Sequence, residues 1–469
     1  MHITILGGGL TGLSAAHHIS RAVPTAQITL IEASNRFGGW VQSTRQGVVL
    51  EGGPRSIRPG RSSAGAIMLK MIRDIGLESS IVPVPRDSPS ARNRFFLKDG
   101  KLEPVGVRSA LTPRTVFSVL TEPLDLFRPA RSDESVDSFL TRKFGHSIAA
   151  LASTGLHGIY AASSSDLSAE AILGSFYKAQ SYRSVVLGLL WMKLFPSTAS
   201  KRTTATAAAH WAQLGPLGKE AATWASYGLQ GGLATLTDHL ASSLRADLRL
   251  NEKVLSLTPG TVRTSRGLIT TDHVIACIPP AELAKIASLP HLTVNPSTTV
   301  GVVNFVYPAP PSQIHPEAFG YLVPKHDPHG VLGVVFDSTA LPGLDDHSVT
   351  KLTVMMGGPY WSTYGSSMPP NLVSPALEHL HGVLPALRSL TPTHAIPHLQ
   401  RDCIPTYLPG HYARMRELGA ALQPWHGTLS LAGAGYYGPS VNDCVASAAA
   451  IASALANGQH PTGLEWLNA

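Results

Sequence analysis

The N-terminal segment ILGGGLTGLSAAHHI, residues 5–19, sets glycines at positions 7, 9 and 12. They lie between an apolar run, Ile3 to Leu6, and a helical pattern that continues to about Ser20. In a strand–turn–helix context each glycine has a task. Gly7 permits the tight turn, Gly9 lets backbone approach a pyrophosphate, and Gly12 lets the helix pack on the strand. The helix N-terminus then favours phosphate charge. Outward from this turn, a second expected strand, QITLIE, ends in Glu32, twenty residues beyond Gly12. A carboxylate there accepts hydrogen bonds from ribose hydroxyls and repels a 2′-phosphate, so the spacing points to a dinucleotide with a free adenosine ribose and disfavours NADP.

The run just past Glu32 separates FAD from NAD. In EASNRFGGW, residues 32–40, Arg36, Gly38 and Gly39 form an R-x-G-G run closed by Trp40. A guanidinium there can reach a phosphate, and side-chain-free backbone can lie beside a large ring. The alternative is a plain glycine turn. The pattern resembles the second flavin motif of the amine oxidase and protoporphyrinogen oxidase superfamily. A second glycine triplet, Gly433, Gly435 and Gly438, lies between an expected strand and an expected helix near the C-terminus. No acid-ended strand comes after it, so a separate nicotinamide domain is unsupported. This segment is expected to return to the first domain with its helix start, Val441 and Asn442, at the flavin, which makes an oxidase with one dinucleotide the better reading than a flavin-and-NAD reductase.

At 469 residues, 43% of them apolar, the chain can bury the cores of two or three domains. Its net charge of +7 suits an anionic membrane surface or an acidic substrate, whereas nucleic acid is not expected because no basic run is interleaved with aromatics. Cys277, Cys403 and Cys444 are widely spaced, which argues against a disulfide framework or a zinc site. Neither His17-His18 nor His379-Leu-His381 brings a third ligand at a telling spacing, so no metal is expected. No signal-peptide pattern precedes the first strand, and no apolar run approaches the roughly 20 residues a membrane span needs. The longest, SVVLGLLWMKLF at 184–195, reads either as a core helix or as an interfacial helix with Arg183 and Lys193 at a headgroup boundary.

Further stretches carry a more specific resemblance. EGGPRSIRPG (51–60), SPSARNRFFLKDGKLEPVG (88–106), WASYGLQGGLATLTDHL (224–240), DHVIACIPPAEL (272–283), FGYLVPKHDPHGVLGVVFDS (319–338), KLTVMMGG (351–358) and LAGAGYYGPSVNDCVAS (431–447) occur in this order. Together they resemble the eukaryotic, oxygen-dependent, FAD-containing protoporphyrinogen IX oxidases from Ile3 to about Ala454. The resemblance implies a multidomain α/β and α+β fold. A Rossmann-like FAD domain of the GR2 type is expected at 1–60, 226–288 and 426–469. A mixed-sheet substrate domain is expected at 61–98 and 289–425, and a helical membrane-binding domain at 99–225.

The same resemblance implies removal of six hydrogens from protoporphyrinogen IX to give protoporphyrin IX, the penultimate step of haem biosynthesis. Electrons pass to non-covalent FAD and then to dioxygen, which leaves as hydrogen peroxide. Because the flavin carries the redox chemistry, the chain's part is binding, orientation and electrostatics, and no catalytic base is identified. Arg94 matches the family's substrate-carboxylate arginine, with Arg92 as rival, since on a strand both side chains share one face. Leu322 and Met355 match the apolar pair that sandwiches the macrocycle; on their residue types alone they are equally core residues. Arg55 matches an arginine beside the flavin, and Val254 falls where backbone lies against the adenine. Ala162 stands where the family has a glycine near the substrate, so its methyl is expected to narrow that pocket or shift a helix end. The family further implies peripheral attachment to the mitochondrial inner membrane on the intermembrane-space side, a homodimer, and contact with ferrochelatase. With no transit peptide visible, targeting is expected to be internal. Rival readings are an oxidase of coproporphyrinogen or amines, and a catalytically silent flavoprotein scaffold. Covalent-flavin amine oxidases carry a cysteine at the C-terminal flavin turn, where this chain has Ala434, Tyr436 and Tyr437.

Overall fold

The computed structural model describes residues 1–105, 113–124, 131–325, 327–345 and 348–468. Two compact units form from interleaved segments: Met1–Pro83, Thr204–Val294 and Ala413–Ala469 make the first, Val84–Thr203 and Asn295–Tyr412 the second. Parts of the helical excursion expected over 99–225, residues 106–112 and 125–130, lie outside the described residues, as does Gly106 at the end of the 88–106 stretch. The described remainder divides between the units, with 204–225 in the first.

The first unit is built on a five-stranded parallel sheet in the order Leu429–Leu431, His273–Ala276, His2–Leu6, Gln27–Ile31, Asp247–Arg249. Parallel strands covered on both faces need near-continuous apolar sequence, and HITIL and QITLI supply it; Ile3, Ile5 and Leu30 are fully buried. Helices Leu10–Ala22, Ser63–Asp74 and Val441–Ala456 share one core, in which Ala15, Ala16, Ala448 and Ala452 let the helices approach closely. The second glycine triplet therefore does return to the first sheet, through the edge strand Leu429–Leu431. A separate antiparallel sheet, Val254–Thr258, Thr261–Thr264 and Gly267–Thr270, packs Leu257, Val262 and Ile269 into a second core with Leu418 and Leu422.

The second unit holds a seven-stranded mixed sheet. Its order is His394–Pro405, Ser297–Tyr307, Thr350–Gly357, Val331–Val335, Gly320–Leu322, Phe95–Lys98, Lys101–Pro104. All pairings are antiparallel except Gly320–Leu322 with Phe95–Lys98. Helix Val373–Val383 buries Ala376 and Leu380 in its core. A helical part gathers Val136, Phe139, Leu167 and Val185. There the buried Glu122 accepts hydrogen bonds from Ser184 Oγ (2.6 Å) and the N–H groups of Val185 and Val186 (2.8 and 3.2 Å), a carboxylate cap on helix Val185–Leu194.

Two expectations change here. Arg92 ends a short helical turn, Pro89–Arg92, and the strand starts only at Phe95, so alternation along a strand does not put Arg92 and Arg94 on one face. Helix Val185–Leu194 is not a wholly buried core helix: Leu187, Leu190, Trp191 and Leu194, at i, i+3, i+4 and i+7, are exposed and form one outward stripe. Among the described residues no helix is long and apolar enough to cross a membrane.

Candidate functional site

In the first unit three turns converge at the C-terminal ends of the parallel strands, where open α/β sheets hold ligands. The first turn leaves strand His2–Leu6 through Gly7, whose φ of +98° is a conformation glycine adopts without strain. A β-carbon at Gly12 would stand 1.9 Å from the Gly7 carbonyl oxygen, which explains the third glycine as a packing requirement. At Gly9 the nearest atom to a β-carbon would be Gly39 Cα at 3.8 Å, so the chain leaves this spot open. Helix Leu10–Ala22 begins there without a side-chain cap, and its first N–H groups remain available to a phosphate.

Glu32 closes the second turn. Its Oε2 accepts from the Gly8 N–H at 2.7 Å and its Oε1 from the Ser34 N–H at 2.8 Å, which anchors the carboxylate at the strand end. The N–H groups of Asn251 and Glu252 donate to the Ser34 and Glu32 carbonyls (2.9 and 3.0 Å), drawing the segment that enters strand Val254–Thr258 beside the same carboxylate. Val254 is half-buried at the start of that strand. The RFGGW run folds back on the first turn: Gly38 N–H donates to the Gly8 carbonyl at 2.8 Å. Arg36 braces this fold through Nη1 to Phe37 and Val41 carbonyls (3.2 and 3.3 Å) and through Nη2 to the Gly39 carbonyl. The Trp40 carbonyl abuts Gly53, where a β-carbon would stand 2.0 Å away, so this run is seated on the GGPRS segment that carries the buried Arg55.

The third turn is Gly433 to Asn442. Gly433 lies beside Thr11 of the first helix, and its N–H donates to Ser447 Oγ at 3.1 Å. Ser440 and Asp443 form a capping box that starts helix Val441–Ala456. Asn442 Nδ2 donates to the Arg58 carbonyl at 2.8 Å, whereas its Oδ1 is buried with no hydrogen-bond partner among the described residues. A buried acceptor left unmatched costs free energy and signals a missing partner. The open face at Gly9, uncapped helix N–H groups and the unmatched Asn442 oxygen fit a bound FAD; Gly7, Gly9, Glu32, Gly39, Arg55, Val441 and Asn442 would hold it. Burial pushes the Cys444 thiol up to about 11, so at neutral pH it is no nucleophile toward a flavin ring.

In the second unit two of the residues expected at the substrate, Leu322 and Met355, fall on a common row, and Arg94 and Ala162 lie off it. Leu322 pairs with Gly333, and Gly333 pairs with Met355, so the three face one side of the sheet with glycine in the middle. Two strand spacings separate Leu322 from Met355, roughly 10 Å. A β-carbon at Gly158, on helix His146–Tyr160, would meet Leu322 Cδ2 at 2.3 Å, so the helix seats that leucine from the other side. Arg94 is exposed, its guanidinium 5.1 Å from the Phe319 ring centroid. Ala162 comes directly after the left-handed Ala161 (φ +47°) and packs its methyl into the buried cluster with Val136 and Leu167. Sequence reading passes over Gly333, although a glycine inside a β-branched strand is itself a sign of close approach. It also passes over Glu51, which is buried and accepts from Ser43 Oγ (2.6 Å) and the Leu233 N–H (2.7 Å). Nothing in local sequence marks that contact. Among the described residues no three His, Cys, Asp or Glu side chains gather as metal ligands; His379 instead pairs with Asp327 at 3.2 Å.

Residues 10–456 match the family of flavin containing amine oxidoreductases. The chain is similar to the protoporphyrinogen oxidases of Macaca fascicularis and Homo sapiens, 34% identical to each over 95% of this chain and 96% of theirs. Its fold is similar to a crystal structure from Exiguobacterium sp. 255-15, provisionally named a protoporphyrinogen oxidase. The TM-score is 0.77 at 24% identity, covering 98% of this chain and 99% of that one. The chain is an FAD-dependent oxidoreductase and belongs to the protoporphyrinogen oxidase family.

Proposed function

We propose that the chain oxidises protoporphyrinogen IX to protoporphyrin IX in haem biosynthesis, with non-covalent FAD as electron acceptor and dioxygen, released as hydrogen peroxide, as the final oxidant. The observation that carries this reading is 34% identity running through 95% of the chain, which spans the flavin cradle and the Leu322–Gly333–Met355 row alike.

Bound FAD supplies a two-electron acceptor. The chain's own residues do the rest. Glu32 would accept from the ribose hydroxyls, and the uncapped start of helix Leu10–Ala22 would hold the pyrophosphate. Leu322 and Met355 present apolar surface to a flat macrocycle, while Gly333 lets the Leu322 side chain and the Tyr321 carbonyl approach where a β-carbon would stand 3.3 and 2.9 Å from them. Arg94 pairs with a propionate, a contact its planar fork suits. Supports of this kind lower the barrier by orientation and exclusion of water.

The reading extends to the surroundings. The outward stripe Leu187, Leu190, Trp191 and Leu194, with Lys193 beside it, supports peripheral attachment of a helical membrane-binding region within 99–225. The intermembrane-space side of the mitochondrial inner membrane, a homodimer and contact with ferrochelatase complete the proposal, on the family resemblance. Anaerobic mixing of the flavin-loaded protein with protoporphyrinogen IX tests the core of it. Bleaching of the visible flavin band is expected, then, on admission of oxygen, its recovery with porphyrin fluorescence and peroxide. A flavin that stays oxidised with this substrate but bleaches with coproporphyrinogen or an amine overturns the assignment.

A further inference from the structure

Lys325 leaves the substrate row three residues after Leu322 and is half-buried. Other sequestered cations of the second unit meet carboxylates: Lys143 with Glu122 (3.6 Å), Arg142 with Glu134, and Lys351 with Asp345. A charge withdrawn from water needs such a partner or another strong one. Lys325 has no carboxylate paired with it among the described residues. Its Nζ donates to Ser163 Oγ at 3.2 Å and lies 5.9 Å from the Tyr364 ring centroid. The carboxylates nearest in sequence to Lys325 and to its partner Ser163, Asp327 and Asp166, have other partners. Asp327 accepts from the His329 and Val331 N–H groups (3.0 Å each) and pairs with His379, while Asp166 accepts from Ser165 Oγ and Thr363 Oγ1 (3.2 and 3.5 Å).

A second observation lies against the same spot. His157 is fully buried, and neither ring nitrogen has a hydrogen-bond partner among the described residues. Its ring stacks on Tyr364 (6.1 Å between centroids) and meets Tyr360 edge-on at 5.5 Å. It adjoins Gly158, the residue that seats Leu322. Burial, reinforced by the Lys325 charge, lowers its pKa to about 4, so the imidazole is neutral at pH 7 and adds no second positive charge beside Lys325. A cation without a paired carboxylate among the described residues and a buried imidazole thus both lie against Tyr364, which packs in one cluster with Met355.

We propose that Lys325, with the Ser163 hydroxyl, binds a carboxylate of the substrate beside the Leu322–Met355 face and so fixes the macrocycle's orientation. The site takes a propionate-type carboxylate, distinct from the one assigned to Arg94, and the inference rests on protoporphyrinogen being the substrate. In steady-state kinetics of the flavin-loaded protein, Lys325→Met is expected to raise KM for protoporphyrinogen IX about tenfold, the scale of one lost charge-assisted hydrogen bond, with kcat little changed. Lys325→Arg retains most of the affinity. With the dimethyl ester of the substrate, which carries no anion, wild type and Lys325→Met are expected to share one KM. Ser163→Ala, a smaller change, repeats the pattern more weakly and serves should Lys325→Met not fold. Equal KM values for the diacid in wild type and variant overturn the proposal, and so does an equal rise with the ester, which marks a structural effect. If wild type oxidises no protoporphyrinogen at all, the substrate assignment itself is what fails.

Discussion

Gly9 and Gly12 sit three residues apart in one turn, yet a methyl group meets different surroundings at each. At Gly12 it collides with the Gly7 carbonyl at 1.9 Å, a backbone atom that cannot step aside. Gly12→Ala is therefore expected to destabilise the first unit by about 1–3 kcal/mol, the usual cost of overpacking, with or without flavin. At Gly9 the backbone is extended (φ −72°, ψ −179°) and a methyl finds its nearest neighbour at 3.8 Å, so Gly9→Ala is expected to fold normally. The methyl instead occupies the space left for a pyrophosphate, and FAD affinity is expected to fall by at least about tenfold. Thermal unfolding of the flavin-free proteins and flavin titration separate the two effects; a flavin-free Gly9→Ala protein as unstable as Gly12→Ala contradicts the division of labour. The same reasoning applies at Gly158, where a methyl meets the far end of Leu322, a side chain that can move. Gly158→Ala is expected to leave the protein folded, displace Leu322 toward the substrate and raise KM several-fold; a KM equal to wild type would mean that Leu322 does not line the substrate site. Gly7, Gly9, Gly12 and Glu32 are legible in the sequence because their geometry is local. Gly333 and Lys325 acquire meaning only from residues on other strands and helices.

Elements show the same divide between local and distant causes. The turn–helix units of the flavin cradle can be read from sequence because strand, turn and helix are contiguous. The large sheet cannot: Phe95–Lys98 pairs in parallel with Gly320–Leu322, more than two hundred residues away, and no local propensity encodes that partnership. Helix Val185–Leu194 is ambiguous in sequence for a related reason. Its apolar residues run nearly all round, so periodicity alone does not say which face turns outward, and the buried Glu122 that caps it comes from a distant segment. With the outward stripe identified, a membrane test becomes specific. Each large apolar side chain taken out of water contributes roughly 1.5–3 kcal/mol, so Leu190→Glu combined with Trp191→Glu is expected to lower vesicle binding at least about tenfold. The same pair leaves flavin content and oxidation of detergent-dispersed substrate unchanged. Co-sedimentation with anionic vesicles is the measurement, and undiminished binding would exclude this helix as the contact.

Across the whole molecule, buried imidazoles link folding to pH. Burial, the largest cause in each case, holds His17 at about 4, His18 at about 3 and His273 at about 4 in the first unit, and His157 at about 4 in the second, against an ordinary value of 6.5. These folded pKa values lie below the unfolded one, so the unfolded chain binds more protons between about pH 4 and 6.5. The contribution to stability is therefore complete above pH 6.5 and is lost as pH falls toward 4. Each such group adds a slope of about 1.4 kcal/mol per pH unit within that window. Burial lowers His315 in the second unit as well, so with three of these five in the first unit, acid is expected to unfold the flavin-binding unit somewhat more steeply than the second and to release FAD with it. Cysteine chemistry does not complicate the readout, since Cys277, Cys403 and Cys444 form no disulfide. Denaturant midpoints tracked by flavin fluorescence for the first unit, and by Trp191 or Trp361 variants for the second, measure both slopes between pH 7 and 4.5. His18→Gln replaces one titrating ring by a neutral amide and is expected to reduce the first slope by about one proton. A midpoint that does not change from pH 7 to 4.5, or a His18→Gln protein with the wild-type slope, would place the acid sensitivity elsewhere. In that event the carboxylate of Asp327, held below its usual range by His379 and by the Val331 and His329 N–H groups despite the opposing effect of burial, is the next group to test, because its stabilisation is lost only at still lower pH.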